Sequence, residues 1–281
     1  LRLQRSGTIA LIVADITNPY FTTLARGVED AARPEGSLLL LGSSDESEEE
    51  ELRYMNLLVQ KGVDGVILVP SCEGASALDL ARAKGIPAVV ADRRAPVGFD
   101  CVRCDSVRGA AQAAEHLLSL GHKSAVVLAG KLGTTTSDDR VDGFCREFAE
   151  GGGLVKALHG EMTVGEGRRM AAEALRKQDR MSCLFAVNNF LAIGALQELS
   201  AEGVAVPRDV SVVGYDDLPS AMLASPFLTA VVQPAYEMGL AAGHRLMKRI
   251  AHPDLGPEET LLAVDLQVRA STGPPSPASR G

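Results

Sequence analysis

The stretch TIALIVADITNPYF, residues 8–21, sets the reading of the whole chain. Its first half is an apolar, β-branched run of the kind found in a strand buried on both faces. It turns polar at Asp15, Thr17 and Asn18, and two adjacent aromatics, Tyr20 and Phe21, follow. Aromatics make up only 4% of the chain, so a pair just beyond the carboxyl end of a strand needs a reason. Phe21, Leu24, Val28 and Ala31 then recur at helical spacing, which predicts a helix over 21–32. Strand, polar turn and amphipathic helix make one β–α unit.

The unit repeats along the chain. Strands are predicted at 37–42, 65–70, 87–91 and 99–104, with helices at about 50–61 and 75–85 between them. The acidic run DESEEEE at 45–51 reads as a helix start with a solvated face, because Ser47 stands three residues before Glu50 and acids are stabilised in a first turn. Leu52, Met55 and Val59 supply its apolar stripe. A second series follows: helix 106–122, strand 124–130, a helix through DDRVDGFCREFAE, strand 154–160, a helix from GEGRRM, strand 183–188, a helix from FLAIG, and strand 209–215. Strand 228–233, helix 235–250 and a single strand TLLAVDLQV (260–268) close the pattern. The Pro/Ser-rich tail 273–281 is expected to be disordered. Short apolar strands alternating with helices mean parallel sheets covered on both faces, an α/β class. The strands are too many for one core, so two doubly wound lobes joined near 104–105 are expected.

Composition narrows the function. The 281 residues carry 28 basic and 36 acidic side chains, a net charge of −8. Such a chain is a poor nucleic-acid binder by itself, because phosphate backbones demand clusters of Lys and Arg. No apolar run approaches the roughly 20 residues needed to cross a bilayer. LRLQRSG at the start lacks the apolar segment of a secretory signal. The five cysteines, Cys72, Cys101, Cys104, Cys145 and Cys183, are odd in number and scattered, which suits a reducing compartment. Cys101 and Cys104 have C-x-x-C spacing, but without a second pair or a nearby His they read as positions near a strand. No metal site and no cofactor is expected.

In open α/β sheets ligands bind beyond the carboxyl ends of the strands. Polar residues gather there: Asp15 and Asn18, Asp92 and Arg93, Asp105, Asn188 and Asn189, Asp216 and Asp217, and Gln233. Each of these equally suits the cap of the following helix. Six such strand ends together, with Tyr20 and Phe21 nearby, suit a small polar ligand with apolar faces, such as a pyranose or a nucleobase. Arg140, in the first turn of a helix, reads either as a donor fork for a ligand or as a surface Arg paired with Asp138 or Asp142. If it lies outside the core, Arg140→Ala or Asp216→Ala should abolish ligand binding and cost no more than about 1–2 kcal/mol of stability. Catalytic templates are missing: there is no G-x-S-x-G and no H-E-x-x-H, GKLGTTTS (130–137) lacks P-loop spacing, and GEGRRM (165–170) lacks the third glycine of a dinucleotide fingerprint.

The ordered motifs ALIVADITNPYFTTLARGVEDAA, KGVDGVILVP, GIPAVVADR, AAEHLLSLGHKSAVVLAG, DRVDGF, VPRDVSVVGYDD, LTAVVQPAYEMG and VRAST resemble the effector-binding core of the LacI/GalR family of bacterial transcription regulators, over about residues 7–272. The resemblance implies a periplasmic-binding-protein-like, type I fold of two Rossmann-like lobes: residues 7–104 plus 235–256, and 105–234 plus 257–272. It implies a small effector held between them, a sugar or sugar derivative in the first instance and a nucleobase as another class. Asp15, Asn18, Tyr20, Phe21 and Asp92 would serve it from the first lobe, and Arg140, Asn188, Asp216 and Gln233 from the second. It also implies a cytoplasmic homodimer that meets operator DNA only through an N-terminal helix-turn-helix domain absent from these residues. Where the family usually has Asn-Asp, this chain has Asn188-Asn189, and Asp105 is followed by Ser106. A secreted solute-binding protein of a sugar transporter would use the same fold, and is the alternative reading. An enzyme is disfavoured by the missing templates.

Overall fold

In the computed structural model, residues 6–71, 76–177, 181–217 and 226–276 are described. The chain divides into two compact units, residues 1–104 with 234–262 and residues 105–233 with 263–281. The first unit holds strands β1 (Thr8–Val13), β2 (Leu38–Ser43), β3 (Gly65–Leu68), β4 (Ala88–Ala91), β5 (Asp100–Cys104) and β11 (Glu259–Leu262). Its helices are α1 (Pro19–Ala32), α2 (Glu48–Lys61), α3 (Ser76–Ala83) and α8 (Ala235–Ala251). The second holds β6 (Ser124–Ala129), β7 (Leu154–His159), β8 (Cys183–Ala186), β9 (Ser211–Tyr215), β10 (Thr229–Val232) and β12 (Asp265–Gln267). Helices α4 (Ser106–Ser119), α5 (Thr135–Glu150), α6 (Val164–Lys177) and α7 (Asn189–Ala201) cover it.

The two sheets have the same order. The first runs β11-β5-β4-β3-β1-β2 and the second β12-β10-β9-β8-β6-β7. The central strands are fully buried because both faces are covered by helices, which is why they read as unbroken apolar runs. Each β–α turn then delivers the chain to the carboxyl edge of its sheet, where β1, β3, β4 and their counterparts β6, β8, β9 end together.

Three sequence expectations are corrected. Residues 260–268 are not one strand: β11 pairs with β5 in the first sheet, whereas β12 pairs antiparallel with β10 in the second. The chain passes from one unit to the other at Ala263 and Val264, so 257–262 belong with the first unit rather than the second. The apolar pattern continues through the crossing because both halves lie against sheet edges, and periodicity does not register a change of sheet. The tail also begins later than expected. Gly273 donates its N–H to Ser211 Oγ, its carbonyl lies 2.9 Å from His122 Nε2, and Pro275 is buried. Residues 277–281, like Cys72, lie outside the described residues. The third correction concerns the acidic run. Ser47 does cap α2, accepting from Glu50 N, but Glu51 is fully buried rather than solvated, and the apolar face is Met55 and Leu58.

Cys101 and Cys104 stand three apart on β5, on opposite faces, and so share no site. Burial pushes the Cys101 thiol up to about 11, which keeps it protonated and unreactive at neutral pH. Among the described residues there is no metal-binding cluster and no helix long and apolar enough to cross a membrane.

The helix after the first strand of each unit is fixed by contact through glycine. A methyl group on Gly27 of α1 would stand 2.2 Å from the carbonyl oxygen of Tyr236 on α8, and one on Gly143 of α5 would stand 2.2 Å from that of Val107 on α4. Both clashes are with backbone, which no rotamer change relieves. Gly27→Ala should therefore cost about 1–3 kcal/mol, read as a lower urea midpoint with an unchanged slope.

Candidate functional site

In the first unit the expected residues gather at the carboxyl ends of β1 and β4. Asn18 caps α1, its Oδ1 accepting from Tyr20 N at 3.1 Å. Asp15 folds back on its own loop, accepting from the N–H and hydroxyl of Thr17 at 2.8 and 2.7 Å. Tyr20 and Phe21 are both buried and meet edge to face, with ring centroids 5.1 Å apart. The Tyr20 hydroxyl donates to Asp92 Oδ1 at 2.6 Å and lies 3.3 Å from Met238 Sδ on α8. Asp92 itself has φ 68°, a left-handed conformation that Asp tolerates better than most residues.

Arg93 is the residue here that the sequence reading named at a strand end but did not place among the ligand contacts. It is 3% exposed. Its Nη1 donates to Glu46 Oε2 and to the carbonyl of Pro70, both at 2.7 Å, and its Nη2 to Glu46 Oε1 at 2.5 Å. Its Nε–H, 4.0 Å from Asp92 Oδ2, is buried without a partner. Glu51 is close by. Its Oε1 accepts from Ser71 N at 2.5 Å, and burial raises its carboxyl above the usual carboxylate range. Glu51 stands four residues before Met55 and seven before Leu58, so it shares the phase of the buried stripe, and that spacing is the signal that marks it within the acidic run.

The second unit repeats the scheme with other chemistry. Asp216, after β9, has φ 66° and is buried. Its Oδ1 accepts from Gln233 Nε2 at 2.6 Å, and its Oδ2 lies 3.6 Å from Arg140 Nη1. Arg140 donates to the carbonyl of Val187 at 2.7 Å and lies 3.8 Å over the Tyr215 ring. The alternative of a surface pair is thereby settled: Asp142 pairs with Arg146, and Arg140 is 4% exposed. Asn188 caps α7 through Leu191 N at 2.9 Å, and its Nδ2 reaches the carbonyl of Met162 at 3.5 Å. Asp217 is held by Arg269 through two bonds of 2.8 and 2.6 Å.

The correspondence is exact in topology. β4 and β9 hold the same place in their sheets, each is followed by a left-handed Asp, and each Asp is met by a side chain from the helix after the first strand. Tyr20 does this in one unit and Arg140 in the other. In each unit, carboxylates, amides, an aromatic ring and a guanidinium at the strand ends provide donors and acceptors for hydroxyl groups and a flat face for a ring.

A family model described as "Periplasmic binding proteins and sugar binding domain of LacI family" matches residues 6–270. The chain belongs to this family. It is 34% identical over 279 residues to the HTH-type transcriptional regulator DegA of Bacillus subtilis, covering 96% of this chain and 82% of that one. It is 32% identical over 269 residues to a ribose operon repressor of Halalkalibacterium halodurans, covering 96% and 80%. Among solved structures, a LacI family regulator of Enterococcus faecium with bound ribose superposes with a TM-score of 0.86 at 31% identity, covering 95% of this chain and 99% of the other. A CelR–cellobiose complex gives 0.86 at 28% identity, covering 95% and 85%. The chain is thus the ligand-sensing core of a transcription regulator with the type I periplasmic-binding-protein fold.

The burial of Arg140 changes what its removal does. The expectation of a loss within about 1–2 kcal/mol assumed a residue outside the core. Arg140→Ala should instead cost about 3 kcal/mol, because it leaves Asp216 buried without its cation. Arg140→Met, which refills the space, should cost less. Urea unfolding of the two variants separates the outcomes.

Proposed function

We propose that this core binds a small polyhydroxylated effector, a sugar or sugar derivative, through Asp15, Asn18, Tyr20, Phe21, Asp92 and Arg93 of the first unit and Arg140, Asn188, Asp216 and Gln233 of the second. The observation that carries this reading is the pair of left-handed aspartates, each fixed in place by a neighbouring donor. A carboxylate held by one donor keeps lone pairs for ligand hydroxyls, and its rigidity reduces the entropy lost on binding. The relatives solved with ribose and cellobiose support the sugar class. Effector binding favours one arrangement of the regulator over another by its differential affinity, and this coupling alters affinity for operator DNA. DNA is met through a separate reader domain, in keeping with the net charge of −8. The core performs no catalysis, and as a regulator of transcription it works in the bacterial cytoplasm.

The regulator acts as a homodimer in this reading. β2 is the free edge of the first sheet, yet Leu38, Leu40 and Leu41 on it are 73%, 45% and 40% exposed, and Leu57 on the adjoining α2 is 48% exposed. An exposed apolar sheet edge calls for a cover, and a second copy of the same face supplies one. The dimer face in this reading is formed by α2 and β2.

Two measurements test the reading. A thermal-shift series with D-ribose, D-glucose, cellobiose, adenosine and hypoxanthine should give a dose-dependent rise for a sugar, as mass action requires. A rise for the nucleoside or base alone would transfer the site to the nucleobase class. In sedimentation velocity the wild type should run as a dimer and Leu38→Glu/Leu57→Glu as a monomer; a monomeric wild type would refute the dimer.

A further inference from the structure

Glu46 meets the site only through Arg93, and no contact with an effector is assigned to it. We propose that Glu46 is a positioning residue for the effector site: it engages both terminal nitrogens of Arg93 and so holds Nε, the one guanidinium nitrogen without a partner, beside Asp92. The proposal rests on the reading of these strand ends as the effector site.

The first support is the division of the guanidinium. Arginine offers five N–H donors in a rigid plane. Nη1 is shared between Glu46 and the Pro70 carbonyl, and Nη2 is bound to the other Glu46 oxygen. This two-point grip fixes the plane as well as the charge. The Nε–H is left buried and unpartnered. A charged donor without an acceptor is costly to bury, and a ligand oxygen arriving next to Asp92 would satisfy it.

The second support is the backbone that carries Glu46. Asp45 and Glu46 are consecutive left-handed residues, with φ 51° and 58°, and neither is glycine. Such strain persists only where the surroundings enforce it. Here Ser43 Oγ donates to Asp45 Oδ1 at 2.8 Å and accepts from Ile16 N at 3.2 Å, and Glu46 N reaches the carbonyl of Ala14 at 3.3 Å. The loop after β2 is thus sewn to the loop that carries Asp15 and Asn18. Through Arg93, Glu46 then ties together the ends of β2, β3 and β4.

The third support is the rival acceptor. Glu51 Oε2 is also buried without a partner, and as an anion it would attract the same guanidinium. Its burial raises its carboxyl above the usual carboxylate range, which weakens it as a rival for the Nε–H.

The test uses the whole chain and two readouts. The first needs no ligand: the exchange rate of the Arg93 Nε–H with solvent, followed by NMR and assigned by its loss in Arg93→Met. Glu46→Gln keeps the shape and removes the charge. It should speed this exchange at least tenfold, while thermal unfolding stays close to that of the wild type, because Glu46 lies at the rim. The second readout is a double-mutant cycle on D-ribose affinity. Glu46→Gln should weaken binding about tenfold in the wild type and have no further effect when Arg93 is already Met. Unchanged exchange in Glu46→Gln overturns the proposal whether or not ribose binds. An equal loss of affinity in both backgrounds also overturns it, since Glu46 would then act without Arg93. A wild type silent toward ribose, with faster exchange in the variant, upholds the clamp and places the failure in the sugar reading.

Discussion

A parallel sheet buried on both faces has nowhere to display chemistry except the ends of its strands. That constraint governs both units of this chain. The central strands β1, β3, β4, β6, β8 and β9 are apolar because helices cover them. Polar side chains are therefore pushed to the carboxyl edge, where each strand gives way to a turn and the next helix begins. Helix N-termini and strand ends meet there, so caps and ligand contacts draw on the same residues. Asn18 and Asn188 stand where a strand gives way to a helix, and each satisfies a helix amide with its Oδ1.

The two units solve the same problem with different side chains. Identical strand order places a left-handed Asp after the fourth strand in each. One Asp is met by a neutral phenol and the other by a guanidinium and an amide. Asp92 thus stands 4.0 Å from Arg93 Nε, whereas Asp216 lies 3.6 Å from Arg140 Nη1 and accepts from Gln233. The same scaffold therefore carries different chemistry at the strand ends of the two units.

Burial changes the meaning of the charged residues. Arg93 and Arg140 both read as polar points on a surface, yet both lie in the interior with their partners. Each ties together the ends of several strands, so its removal loosens the site and the fold at once. Glu51 is the opposite case, an acid drawn from a run that looks solvated and placed where its charge is disfavoured. An acidic run is legible as a helix start. The one member of it that turns inward shares the helical phase of Met55 and Leu58, a signal masked by the charge of the run around it.

Local patterns alone determined much of this protein. The alternation of apolar runs and amphipathic helices fixed the α/β class, the two units and the first crossing at 104–105. The polar residues at strand ends were legible because chain direction in a parallel sheet forces them to one edge. The family motifs added the regulator family. Tertiary structure decided what periodicity does not encode: that 260–268 splits between two sheets, that residues 273–276 dock on the second unit, and that Asp92 and Asp216 are held by Tyr20 and Arg140. The physical reason is the same in each case. Hydrophobic period reports whether a residue is covered, whereas partner choice depends on long-range contacts between strand ends that lie far apart in the chain.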